Sequence, residues 1–171
     1  VYGVSERCNL NLSRLFQHLA KEQFDFGPFL YVHHGHAAVE HLFGVAAGLD
    51  SMVIGETEIT GQVKQAYQTA HGAGLTGPVT NRLFQTALQT AKTIRSETAI
   101  GRGATSVGSV AVELAERIFD HDLSSKTVLI IGAGKMGEAC VRHLSKKGAR
   151  AVLVCNRSVE KAAALAGEFG G

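Results

Sequence analysis

The chain has 171 residues, 45% of them hydrophobic and 19% charged, with a formal net charge of +2. That balance fits a soluble globular protein of one ordinary domain or two small ones, and it gives no electrostatic case for nucleic-acid binding. No window reaches the roughly 18 apolar residues of a spanning helix, no basic segment precedes an apolar core at the start, and Cys8, Cys140 and Cys155 form no CxxC pair, so a cytoplasmic chain with reduced thiols is expected.

In chain order, Leu12, Leu15, Phe16 and Leu19 have helical spacing and predict a helix over residues 10–21. Gly27-Pro28 breaks it, and residues 29–32 read as a short strand. Ala38, Leu42, Val45 and Ala46 mark a helix over 37–47 that ends at Gly48, a C′ glycine. Ile59, Val63, Ala66, Tyr67 and Ala70 form the next apolar face, which ends near Gly72 and Gly74. After Thr76-Gly77-Pro78, residues 83–94 predict a helix of about four turns. Gly101 and Gly103 separate it from an amphipathic helix carrying Val107, Val110, Ala111, Leu114, Ala115 and Ile118, long enough to act as a spacer.

Beyond Asp120 the pattern changes. Residues 127–131 form a continuous apolar strand of the kind expected in a parallel sheet buried on both faces. A helix over 135–147 ends at Gly148, a second strand covers 151–155, and Ser158 caps a further helix. The expected fold class is α/β: an α+β N-terminal part over 1–104, a linking helix over 105–120, and the start of a Rossmann-type domain over 121–171. The boundary falls within or just after the 106–119 helix.

Gly132-Ala133-Gly134-Lys135-Met136-Gly137 matches G-x-G-x-x-G after a strand and at the opening of a helix. Gly132 allows the tight turn, Gly134 lets backbone approach a pyrophosphate, and Gly137 lets helix and strand pack closely. The helix N-terminus offers free N–H groups and partial positive charge to phosphates. The alternative is a structural turn in an unrelated α/β protein. At the end of the second strand an NAD site usually carries an acid, but here stand Asn156, Arg157 and Ser158. A guanidinium and a hydroxyl suit a 2′-phosphate, which favours NADPH, with Arg157 as discriminator. Otherwise Arg157 is a solvated loop charge.

Upstream, Gly48-Leu-Asp-Ser-Met-Val-Ile-Gly-Glu-Thr-Glu-Ile-Thr-Gly-Gln62 concentrates small, acidic and amide groups between two helices. His41 with Ser51 and Glu56 beyond it has the composition of a small polar-substrate pocket. From the pattern alone, a structural histidine and a helix start near Glu56 or Thr57 explain the same residues. His33, His34, His36 and His41 raise a metal question. On a strand, neighbours point to opposite faces, and no H-x-x-x-H pair occurs, so no metal site is expected.

At these residues the chain resembles the glutamyl-tRNA reductase family over nearly its whole length. The resemblance rests on His41-Leu-Phe, on Ala46-Ala-Gly-Leu-Asp-Ser-Met-Val-Ile-Gly-Glu56, and on Gln62-Val-Lys-Gln-Ala-Tyr67. Lys92-x-x-Arg95-x-x-Thr98-x-Ile100-Gly101 and Ser106-Val107 continue it, in the family's order, toward the nucleotide domain. It implies reduction of glutamyl-tRNA(Glu) to glutamate-1-semialdehyde through a cysteine thioester and hydride from NADPH, the first step of a tetrapyrrole route. It places His41 near the reacting carbon, and Ser51, Glu56, Thr57, Glu58 and Gln62 around the glutamyl group. Glu58 departs from the glutamine common in the family. A homodimer formed through a C-terminal helical domain, and glutamate-1-semialdehyde aminomutase as partner, are implied in the same way.

The family's nucleophile lies in a Ser-Thr-Cys-Asn-Arg-Thr-Glu type motif. Val1-Tyr2 looks like the residues that follow it, so the chain reads as an internal fragment without that cysteine and, by expectation, without reductase turnover of its own. Cys8-Asn9-Leu10 lacks the arginine, and Cys155-Asn156-Arg157 copies the letters at the wrong place in the fold. Two other readings account for less: a shikimate-dehydrogenase-type NADP oxidoreductase, explaining only residues 127–158, and a non-catalytic tRNA- or partner-binding module.

Overall fold

The computed structural model describes residues 1–5, 12–21, 23–100, 106–149 and 151–170. Cys8, Asn9, Leu10, Gly101 and Gly103 lie outside the described residues. The chain divides into two compact units, Val1–Asp50 with Ile59–Ser96, and Ser51–Glu58 with Glu97–Gly171.

The first unit is helical. It contains α1 (Leu12–Ala20), a single 3-10 turn at Gly27–Phe29, α2 (His36–Ala47), α3 (Glu58–Gly72, from its second residue) and α4 (Pro78–Glu97, to Ser96). The strand expected over 29–32 is not formed. Pro28 opens the 3-10 turn, and Phe29, Tyr31 and Val32 are exposed, with no neighbouring ladder among the described residues. An extended run without a ladder partner leaves its backbone groups to water and gains nothing as a strand.

Three helices close around Leu42, Ala46, Ala47, Val63, Ala87 and Ala91, with Tyr2, Ile59, Leu83, Phe84, Leu88 and Ile94 packed against them. Four of the six buried residues are alanines, which lets the helix axes approach. Leu42 fills the centre and is fully buried, a burial that stabilises by about 2–3 kcal/mol. Gly48 ends α2 in the left-handed conformation at φ 75°, as its position in the sequence predicts.

A polar relay locks the ends of these helices. Thr60 Oγ1 donates to the Ala46 carbonyl at 2.7 Å and accepts from Arg95 Nη2. Thus α4 reaches across the start of α3 to the last turn of α2. Arg95 Nε is buried without a partner.

In the second unit, α5 (Val107–Ile118) precedes β1 (Thr127–Ile131), α6 (Lys135–Lys146), β2 (Ala151–Cys155) and α7 (Val159–Glu168). Ser106 caps α5 by a reciprocal pair of bonds with Ser109. β1 and β2 pair in parallel, Thr127 opposite Ala151 through Ile131 opposite Cys155, which α6 makes possible as the crossover. Val128 and Ile130 pack with Val112, Leu123 and Leu144, and Val152 and Val154 pack with Val141 and Leu165.

The expectation of a sheet buried on both faces is corrected here. Leu129 is 58% exposed, Ile131 82% and Leu153 56%. Each described helix contributing to these clusters lies on the opposite face, so the apolar run is continuous in sequence but covered on alternate residues only.

α5 and α6 touch closely at Gly108. A Cβ there would meet Cys140 Sγ at 3.0 Å and Met136 Sδ at 3.6 Å. Further along, the carboxylate of Glu116, nearly buried on α5, pairs with Lys147 Nζ at 2.8 Å beyond the end of α6.

Candidate functional sites

The glycine turn is built by backbone necessity. Gly132 has φ +108°, a conformation that L side chains rarely adopt. A Cβ on Gly137 would stand 2.1 Å from the Gly132 carbonyl oxygen, so the helix can close on the strand only without a side chain. A Cβ on Gly134 would meet nothing, leaving open space beside the backbone. Gly134 is the N-cap of α6 and supplies no side-chain cap, so the first N–H groups of the helix have no partner within it. This arrangement fits a pyrophosphate.

Asn156 joins the two strand ends. Its Oδ1 accepts from the Ala133 N–H at 3.3 Å, and its Nδ2 donates to the Ser158 carbonyl at 3.1 Å. The Gly132 N–H donates to the Cys155 carbonyl at 2.7 Å. Ala133 therefore spends its N–H on the fold. The Ser158 hydroxyl caps α7 by accepting from the Lys161 N–H and donates to Glu160 at 2.7 Å. That hydrogen bond holds the Glu160 carboxyl below its usual range. Lys135, Met136 and Arg157 are exposed around the turn.

In the first unit, His41 is the centre of a ring of polar aromatics. Its Nδ1 is 2.6 Å from the Tyr2 hydroxyl, and its Nε2 is 3.2 Å from the Tyr31 hydroxyl and 3.7 Å from Asp50 Oδ2. The His33 ring lies 5.0 Å away, centre to centre. Tyr2, Leu30, Tyr31, His33 and His41 line a cavity of about 280 Å³. Burial, with Tyr31 and Asp50 nearby, pushes the Tyr2 phenol above its ordinary value. Sequence reading found His41 but missed Tyr2, Tyr31 and Asp50 as its partners. They come from three separate stretches, and no spacing rule connects them.

The other candidate substrate residues fall into two groups. Ser51 donates to Glu56 Oε1 at 3.1 Å within the 51–58 segment of the second unit, which turns at Gly55 with φ +81°. Thr57 is exposed just ahead of α3, Glu58 opens that helix, and Gln62 is exposed one turn later. His36 begins α2, with its Nδ1 3.9 Å from the Glu40 carboxylate. Among the described residues no group of three or more His, Cys, Asp or Glu side chains is arranged to hold a metal, and no helix is long and apolar enough to cross a membrane.

Comparisons with known proteins match both halves of the chain. The family model described as glutamyl-tRNAGlu reductase, N-terminal domain, matches residues 1–98, and that of shikimate / quinate 5-dehydrogenase matches residues 113–171. A glutamyl-tRNA reductase of Akkermansia muciniphila is 53% identical over 149 residues, 87% of this chain and 44% of that protein. One from Syntrophotalea carbinolica is 48% identical over 91% of this chain and 35% of its own length. One from Desulfitobacterium hafniense is 43% identical across the whole chain and 39% of its own length. The solved glutamyl-tRNA reductase from Methanopyrus kandleri superposes with a TM-score of 0.52 at 48% identity, covering 82% of this chain and 35% of that one. The chain thus spans less than half the length of these relatives.

Proposed function

Because the chain belongs to the glutamyl-tRNA reductase family, we propose that it supplies the glutamate-binding and nucleotide-binding parts of an NADPH-dependent reductase that converts glutamyl-tRNA(Glu) to glutamate-1-semialdehyde. The carrying observation is the family match over residues 1–98, joined in one polypeptide to a glycine turn shaped for a pyrophosphate. A shikimate-dehydrogenase relative accounts for residues 113–171 alone.

In this reading the division of labour follows the sequence: residues 1–104 serve the substrate, 105–120 link, and 121–171 serve the nucleotide. The substrate arrives as an oxygen ester and passes to a cysteine thioester, which accepts hydride more readily. His41 stands near the reacting carbon, and Ser51, Glu56, Thr57, Glu58 and Gln62 hold the glutamyl group. Gly134, Lys135, Met136 and Gly137 receive the pyrophosphate through backbone N–H groups and close approach. Gly132, whose N–H is held by the Cys155 carbonyl, shapes the cofactor turn together with Ala133 and Asn156, and Ser158 shapes the start of α7. Arg157 is the cation for a 2′-phosphate. NADPH supplies the hydride when bound. A homodimer, aminomutase as partner and a cytoplasmic setting belong to the same proposal.

The test uses the reductase carrying these residues, assayed for semialdehyde from glutamyl-tRNA. His41→Gln abolishes turnover, and Ser51→Ala and Glu56→Gln raise KM for glutamyl-tRNA. Arg157→Ser narrows the preference for NADPH over NADH by about tenfold, the loss of one charge-assisted contact to phosphate. Full activity in His41→Gln, or an unchanged cofactor preference in Arg157→Ser, defeats the corresponding assignment.

A further inference from the structure

A neutral imidazole carries one proton on two nitrogens, and its neighbours decide where that proton stays. At His41 the neighbours differ between the two sides. Nε2 faces the Asp50 carboxylate at 3.7 Å and the Tyr31 hydroxyl at 3.2 Å. An ionised carboxylate only accepts, so a hydrogen on Nε2 meets attraction and a lone pair there meets repulsion. Among the described residues, the group at hydrogen-bond distance from Nδ1 is the Tyr2 hydroxyl, at 2.6 Å. Once the proton is on Nε2, Nδ1 must accept, and the Tyr2 phenol is the donor in place. Among the described residues, the His33 ring is a further titratable group beside it, 5.0 Å away centre to centre.

The Tyr2 ring is itself anchored. It packs edge-on against Phe84 at 5.7 Å and 90°, and it joins the cluster around Leu42. The hydrogen-bond donor is thereby tied to the core of the first unit, whereas Tyr31, 68% exposed, is not held in this way. We propose that Tyr2 is the positioning residue for His41: its phenol donates to Nδ1 and holds the neutral ring as the Nε2–H tautomer, the form that can give a hydrogen to a carbonyl oxygen in the adjoining cavity. The catalytic consequence rests on the reading of His41 given above; the tautomer does not.

The experiment has two arms. In the chain labelled with 15N-histidine, two-bond 1H–15N correlations report which ring nitrogen is protonated, and His41→Gln identifies the His41 signals. The expected wild-type pattern is an unprotonated Nδ1 and a protonated Nε2, becoming a mixture of tautomers in Tyr2→Phe. Tyr31→Phe keeps the wild-type pattern, because the Asp50 carboxylate, 3.7 Å from Nε2, still favours a hydrogen there electrostatically. A wild-type proton on Nδ1, or an unaltered pattern in a folded Tyr2→Phe, overturns the proposal. If Tyr2→Phe does not fold, the wild-type and Tyr31→Phe spectra decide. In the reductase, Tyr2→Phe lowers kcat by about tenfold to a hundredfold, with KM for glutamyl-tRNA unchanged. Retained turnover in His41→Gln removes the catalytic reading of His41 and leaves the tautomer result standing. An inactive His41→Gln beside a Tyr2→Phe of full kcat removes the role of Tyr2.

Discussion

The glycine turn of the second unit and the histidine cluster of the first are built on opposite principles. The turn is specified by six contiguous residues, whose roles follow from backbone geometry: a positive φ at Gly132, open space at Gly134 and a forbidden Cβ at Gly137. The histidine cluster is assembled from Tyr2, Tyr31, His41 and Asp50, which the fold brings together across almost fifty residues. A site of the first kind fails when its own backbone is altered. One of the second kind depends on the packing that holds its members.

The largest effect that would sharpen this contrast comes from Gly137→Ala. Its Cβ must displace the Gly132 carbonyl, so the second unit loses about 3 kcal/mol in urea unfolding and nucleotide binding disappears in fluorescence titration. Gly134→Ala is the control, unfolding within about 1 kcal/mol of wild type because its Cβ meets nothing. Equal stability of the two variants would break the comparison.

Next in size is Arg95→Met, which removes the donor to Thr60 and with it the tie from α4 to the end of α2. The expected loss is about 1–2 kcal/mol, reduced from a fuller value because Arg95 Nε is already unpaired. If the histidine cluster depends on packing, the His41 ring signals shift in this variant although Arg95 does not touch His41. Ser158→Ala follows at about 1 kcal/mol, the loss of a helix cap, and leaves those signals unmoved.

The smallest effect is alkaline. The folded-state pKa of Tyr2 is raised above its ordinary value of 10.0, by burial first and then by Tyr31 and Asp50. The stability associated with the protonated phenol is therefore full below pH 10 and declines as pH climbs past it toward the raised value. Tyr2→Phe removes this decline, and unfolding midpoints compared on either side of pH 10 measure it.

Much of the second unit could be read from its residues alone. Both strands fall where the sequence places them, and Ser158 caps the last helix as expected. These features are local, set by runs of β-branched residues, glycines and a capping hydroxyl. The covered and bare sides of the sheet could not be read, because Leu129 and Ile131 have the same chemistry as Val128 and Ile130 and only the placement of helices distinguishes them. In the first unit the helices were legible from their periodicity, whereas residues 29–32 have the composition of a strand but no ladder partner among the described residues. His41 stood out through its setting in the sequence, whereas nothing in the sequence tied Tyr2 or Tyr31 to it. The bond between Ser51 and Glu56 lay between these cases, since a five-residue separation suggests nearness without fixing a contact.

The near-contact between Gly108 and Cys140 carries an evolutionary consequence. The two positions share a single volume between adjacent helices, so neither can enlarge unless the other shrinks or the helices separate. Related sequences in which alanine or serine replaces the glycine should have a smaller residue than cysteine opposite it, and the two columns should change together even though they are 32 positions apart.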